Sequence, residues 1–131
     1  MNAPELLLAD SSFYIVAFKA KKLPFDILAE EFAAYKAVTC EIVMLEVLCG
    51  VRDPKVLDYT TFQFESLYCL DMQKSTWRLA KKLAWERERA GRRLGTPDII
   101  IAACAIESGA AVLTRDKRFS EIPRLKVVSN F

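Results

Sequence analysis

Residues 99–106, IIIAACAI, are apolar on every face of a helix, and a helix of that kind has to be buried all round. Its start is marked by Thr96 as a capping residue and Pro97 at the first helical position, where a missing N–H costs nothing. Gly109 closes it, residues 111–114 read as a short buried strand, and Asp116 stands just past that strand. Asp98 enters the first turn with nothing nearby in sequence to neutralise it. Two acids thus sit at the edges of the most apolar segments in the chain.

Elsewhere, strands alternate with helices. Residues 5–9, ELLLA, form a continuous apolar run, as expected of a strand buried on both faces of a parallel sheet. A helix is predicted over 13–20 with Phe13, Val16, Ala17 and Ala20 on one face. Pro24 begins a second, with Phe25, Leu28, Ala29, Phe32 and Tyr35 recurring at helical spacing. Val38-Thr39 allows a strand of two or three residues, with Thr39 also able to cap the helix that runs to Gly50. Asp53-Pro54 opens a helix to about Leu67, with Leu57, Thr61, Phe64 and Tyr68 inward, and residues 69–72 give a weak strand signal. The longest helix spans 73–90 and ends at Gly91, with a core stripe of Thr76, Leu79, Ala80, Leu83, Arg87 and Ala90. Residues 126–128 supply a last strand. The pattern predicts one α/β domain over residues 1–131, built on a small, mostly parallel sheet.

Composition narrows the function. The chain has 131 residues, 53% hydrophobic and 27% charged, with net charge +2; that describes a compact protein able to bury roughly two-thirds of its unfolded surface. No apolar run approaches the ~20 residues that span a bilayer, and the N-terminus lacks the basic flank and apolar core of a secretory signal. The four cysteines show no CxxC pairing, which favours reduced thiols, Cys49 and Cys104 among them in apolar helical contexts, and a cytoplasmic setting. There is no histidine, which removes histidine-based triads and most transition-metal sites.

Four acids border or interrupt apolar runs: Asp10 after LLLA, Glu46 within IVMLEVLCG, Asp98 before IIIAACAI and Asp116 after AVLT. Taken singly, Asp98 is also a helix-end acid, Asp10 a turn residue and Asp116 a loop opener. Glu46 is harder to dismiss, because an ionised carboxylate in apolar surroundings is costly unless paired or metal-bound. Asp10 and Asp116 lie at the carboxyl ends of predicted parallel strands, where open α/β sheets bind ligands. Convergent carboxylates without histidine or thiolate specify a hard cation, Mg2+ or Mn2+, and such a site suits phosphodiester hydrolysis by metal-activated water.

These pieces also match a family. The segments ADSS around Asp10, TCEIVMLEVLCGV around Glu46, GTPDIIIAACAIESGA around Asp98 and VLTRDKRF around Asp116 resemble, in order, the PIN domain, and within it the VapC-type ribonuclease toxins. The resemblance covers essentially the whole chain. It implies a PIN-like (Rossmann-like) three-layer α/β/α sandwich, and an acidic pocket of Asp10, Glu46, Asp98 and Asp116 binding Mg2+ or Mn2+. It places Ser12 and Thr114 at the small polar positions beside the metal. It also implies endonucleolytic RNA cleavage leaving a 5′-phosphate, a homodimer, and a cognate antitoxin protein that covers the pocket. One departure is Arg118, which stands where family members often carry a further acid.

Basic residues concentrate between Lys74 and Arg93, eight against two acids. Arg78, Lys82, Arg89 and Arg93 form a stripe beside Trp85 that suits an RNA backbone with stacking from the indole; a solvated face, or a docking face for an acidic antitoxin, is the other reading. A housekeeping RNA-processing PIN nuclease and a non-catalytic PIN-like scaffold remain as alternatives. A phosphoreceiver-type domain is disfavoured, because Asp10-Ser11-Ser12 supplies one acid where that fold wants a pair.

Overall fold

The computed structural model describes residues 3–129. Five strands, β1 (Leu6–Ala9), β2 (Lys36–Cys40), β3 (Tyr68–Leu70), β4 (Ala111–Leu113) and β5 (Lys126–Val128), form one sheet in the order β3-β2-β1-β4-β5. Every neighbouring pair is parallel. The helices are α1 (Ser11–Lys19), α2 (Pro24–Glu31), α3 (Glu41–Cys49), α4 (Pro54–Glu65), α5 (Lys74–Arg89) and α6 (Thr96–Ser108), and a 3-10 helix (Lys117–Glu121) follows β4. They cover the sheet in a three-layer α/β/α sandwich. Leu7, Leu8, Val112 and Leu113 are all 0% exposed, so neither face of the two central strands meets water. That double burial is why β1 and β4 read as unbroken apolar runs rather than alternating ones. The chain leaves β1 towards β2 and β3 on one side and returns to β4 and β5 on the other, so strand order reverses between β1 and β4.

The enclosed helix is observed as expected. In α6, Ile99, Ile101, Ala102, Ala103, Cys104 and Ala105 are buried, and the chain turns out at Gly109 with φ 75°, a left-handed conformation that favours glycine. Its N-cap is Gly95 rather than Thr96, which lies within the helix, and no side chain caps it. Helix α5 packs along α6 and buries Thr76, Ala80, Leu83 and Arg87. Leu79 is only half-buried and Ala90 is exposed.

Several elements differ from their sequence patterns. Helix α1 starts at Ser11 under an Asp10 cap and buries Phe13, Tyr14 and Ala17, leaving Val16 41% exposed. Aromatic packing decides that face: Tyr14 sits 5.5 Å from Phe25 and 5.0 Å from Phe64, ring centre to ring centre. Strand β2 has five residues, because β1 and β3 both pair with it. Thr39 therefore lies inside the strand, fully buried with no hydrogen-bond partner for its hydroxyl among the described residues, and Cys40 takes the N-cap position of α3. Helix α4 buries Thr60 and Phe64 instead of Leu57, Thr61 and Tyr68; the Thr60 hydroxyl is satisfied by donating to the Val56 carbonyl at 2.7 Å. All four cysteines are free, Cys40 and Cys104 buried but Cys49 exposed. Among the described residues, no helix is long and apolar enough to cross a membrane.

Candidate active site

The reversal of strand order opens a crevice beyond the carboxyl ends of β1 and β4, the usual ligand position in such sheets. Asp10 follows β1 there and is 4% exposed. Its carboxylate is held from three directions. Oδ1 accepts from the Phe13 backbone N–H at 3.2 Å and from the Ser12 hydroxyl at 2.5 Å, and Oδ2 accepts from the Thr114 hydroxyl at 2.6 Å. Thr114, fully buried at the end of β4, also accepts from the Asp116 backbone N–H at 3.1 Å. One hydroxyl therefore ties the two strand ends together through their acids.

Glu46 reaches the site from α3. It is half-buried rather than enclosed in apolar surroundings, and its Oε1 accepts from the Ser11 hydroxyl at 2.9 Å. Asp98 enters from the first turn of α6, half-buried. Burial raises its pKa above the usual carboxylate range; Arg118 pulls it down, and the charges of Asp116, Asp10 and Glu46 push it up again. Asp98 thus lies within the fields of the other three acids. Asp116 caps the 3-10 helix by accepting from the Arg118 backbone N–H at 3.0 Å, and hydrogen bonds from the Arg118 side chain hold its pKa below the usual range.

Arg118 corrects the expectation that nothing neutralises Asp98. Its guanidinium donates from Nε to Asp116 Oδ1 at 3.0 Å and from Nη2 to Asp116 Oδ2 at 2.5 Å, and the same Nη2 stands 3.6 Å from Asp98 Oδ2. Ser11 and Arg118 are the site residues that sequence reasoning missed. Arg118 has a signal in the sequence beyond the acid it replaces: it stands two residues after Asp116, the spacing at which an aspartate cap meets the following N–H. Ser11 has none, since its Glu46 partner is distant in sequence.

As a donor set, four carboxylates flanked by hydroxyls fit a hard divalent ion. As the side chains stand, no three His, Cys, Asp or Glu among the described residues are grouped closely enough to hold one. Both Asp10 oxygens accept from hydroxyls, and Asp116 is turned onto the guanidinium.

The basic stripe borders more than one cavity. Arg89 lies 4.9 Å over the Trp85 ring, and both line a cavity of about 590 Å3 with Trp77, Lys81, Arg93 and Thr96. This cavity reaches the start of α6 at Thr96, Ile99 and Ile100, and Asp98 does not line it. Lys82 instead lines a separate cavity with Pro123 and Arg124, and Arg78 is exposed on α5. A larger cavity, about 630 Å3, is bordered by Ile42, Leu45, Leu48, Trp77 and Ile100 and by none of the four acids.

A model of the PIN domain family matches residues 7–125, and the chain belongs to that family. No curated protein sequence matches it. Among solved structures it is similar to a chain of VapBC2 from Rickettsia felis bound to a promoter DNA fragment, at 20% identity and TM-score 0.79, covering 94% of this chain and 97% of that one. A chain of DNA-bound VapBC from Salmonella typhimurium matches at 22% identity and TM-score 0.77, covering 96% and 98%. A chain of a toxin–antitoxin complex from Klebsiella pneumoniae matches at 21% identity and TM-score 0.75, covering 95% and 98%. At these identities the likeness is one of fold.

Proposed function

We propose that the chain is a single PIN domain, residues 1–131, acting as a Mg2+- or Mn2+-dependent endoribonuclease, and that it is the toxin of a toxin–antitoxin pair. The observation that carries this reading is the gathering of Asp10, Glu46, Asp98 and Asp116 at the β1/β4 crevice, close enough for three of them to raise the pKa of the fourth. Thr114, Ser12 and the Phe13 N–H fix the orientation of Asp10. Ser11 steadies Glu46, and the enclosed body of α6 keeps Asp98 from retreating. A bound divalent ion supplies a water of lowered pKa and offsets charge on the phosphoryl oxygens. With no histidine in the chain, the residues' own work is to hold and orient. The Trp77–Trp85 cavity with Arg89, Arg93 and Lys81, which reaches the start of α6, offers single-stranded RNA stacking surfaces and phosphate partners.

The toxin assignment is supported by the fold shared with chains of toxin–antitoxin complexes. Leu45 and Phe62, 63% and 70% exposed, are apolar surface available to an antitoxin or to a second copy in a homodimer. The test is cleavage of RNA by purified Asp98→Asn and Glu46→Gln with circular dichroism matching wild type. Mg2+-dependent cleavage is expected to fall by about a hundredfold or more, the scale on which losing a transition-state charge partner is felt. Undiminished cleavage by Asp98→Asn overturns the assignment.

A further inference from the structure

The Arg118 guanidinium lies where a positive ion is wanted. It forks over both oxygens of Asp116, with Nε at 3.0 and 3.1 Å and Nη2 at 2.5 Å, and extends the same Nη2 to within 3.6 Å of Asp98. Two acids from different elements, the α6 first turn and the segment after β4, thus face one cation. The contact is closed at one end and open at the other. Arg118 is anchored only two residues from Asp116, whose Oδ1 also accepts its backbone N–H, while its side chain is 52% exposed. A long arginine stem with that exposure can leave the pocket for water without disturbing the backbone that carries it.

We propose that Arg118 is an internal counter-ion that closes the acidic pocket, and that a divalent ion enters by displacing it, so that this residue sets the affinity of the site for metal. The inference rests on the reading that the four acids hold Mg2+ or Mn2+. The oxygens of Asp116 that an ion would take are taken already by N–H donors. An ion coordinated by oxygen at about 2.0–2.1 Å leaves no room for the guanidinium on the same oxygens, and the two positive charges repel. Arginine holds such a position better than lysine, since its planar fork engages both carboxylate oxygens at once. The acid expected here from the family resemblance would add a ligand; the arginine present competes with one.

Calorimetric titration of the full chain with MnCl2, without RNA, tests this. Arg118→Gln is compared with wild type and with Lys117→Gln, which removes the same charge one residue away from an exposed position. Arg118→Gln is expected to bind Mn2+ about tenfold more tightly, the effect of removing one like charge from beside the ion, and Lys117→Gln less than about threefold. Arg118→Lys, which keeps the charge but not the fork and is the variant to use if Arg118→Gln does not fold, is expected to fall between. Equal or weaker binding by Arg118→Gln, or an equal gain in Lys117→Gln, overturns the counter-ion while leaving the metal site standing. No Mn2+ binding by any of the proteins overturns the metal site itself and the inference with it.

Discussion

Asp98 and Asp116 face the same guanidinium and yet are shifted in opposite directions, and the difference lies in what else surrounds each. Asp98 is burdened by burial and by three other carboxylates, which raise its pKa; Asp116 is embraced by Arg118 and lowered. The linkage signs follow. A folded-state pKa above the unfolded one means that stability is lost as pH rises from the ordinary carboxylate range through the raised value, and the penalty is complete at neutral pH. For Asp116 the stabilisation is present above its unfolded pKa and disappears as pH falls through the lowered one. In EDTA at pH 7, Asp98→Asn is therefore expected to raise Tm and Asp116→Asn to lower it, each on the order of 2–4 °C. The helix dipole favours a charge at Asp98 and works against the first change, so thermal melts of both variants decide which effect prevails. A fall in Tm for Asp98→Asn would show that the helix dipole and the Arg118 contact outweigh burial and the neighbouring acids. At this scale the four acids were legible because each borders or interrupts an apolar run. The hydroxyls of Ser12 and Thr114 came with the family resemblance; Ser11 and Arg118 did not, because a hydroxyl or a flexible cation distant from its partner acquires meaning only from where its side chain is aimed.

Among the elements, α5 shows how a charged residue holds a place on a core stripe. Arg87 is buried at the end of the stripe, and its guanidinium donates to Glu121 Oε2 at 2.9 Å and to the Arg92 carbonyl at 3.3 Å. It thereby fastens the end of α5 to the 3-10 helix that follows Asp116. Arg87→Ala removes this packing and one of the two ion pairs of the exposed Glu121, which keeps Arg92 at 2.6 Å. The loss is expected to be roughly 2–3 kcal/mol, below the 3–5 of a fully buried pair broken on one side, read as a lower urea midpoint at unchanged slope. Arg87→Met, which keeps the stem, is expected to lose less; equal stability of Arg87→Ala and wild type would remove the fastening role. Helical spacing placed Arg87 inward in the sequence itself. What spacing did not reveal were strand lengths and helix rotations. The extent of β2 depends on two partner strands, and the buried face of α1 on where Phe25 and Phe64 bring their rings, both matters of tertiary pairing rather than local pattern.

For the molecule as a whole, the topology puts the four acids at the junction of β1 and β4 and packs the basic helix α5 along α6, whose first turn carries Asp98. Of the stripe read in the sequence, Arg89 and Arg93 line the cavity with Trp77 and Trp85, Lys82 lines another, and Arg78 lines neither. Each of these arginines has a competing contact: Arg89 lies over Trp85, and Arg93 is 3.8 Å from Glu88. Exposed pairs of that kind are worth little, so both side chains are free to turn to phosphate. Binding of single-stranded RNA measured without divalent ions, so that no cleavage intervenes, separates a strand path from a solvated face. With Arg89→Ala and Arg93→Ala combined, affinity is expected to fall at every salt concentration. The slope of log K against log salt should also become shallower by about 1.4, the value for two fewer neutralised phosphates on a single strand. The matching loss from Lys82→Ala, which lines the cavity on the Pro123 side, is expected to be small. If Lys82→Ala weakens binding as much as the double variant does, the path follows the general charge of α5 and not the tryptophan cavity.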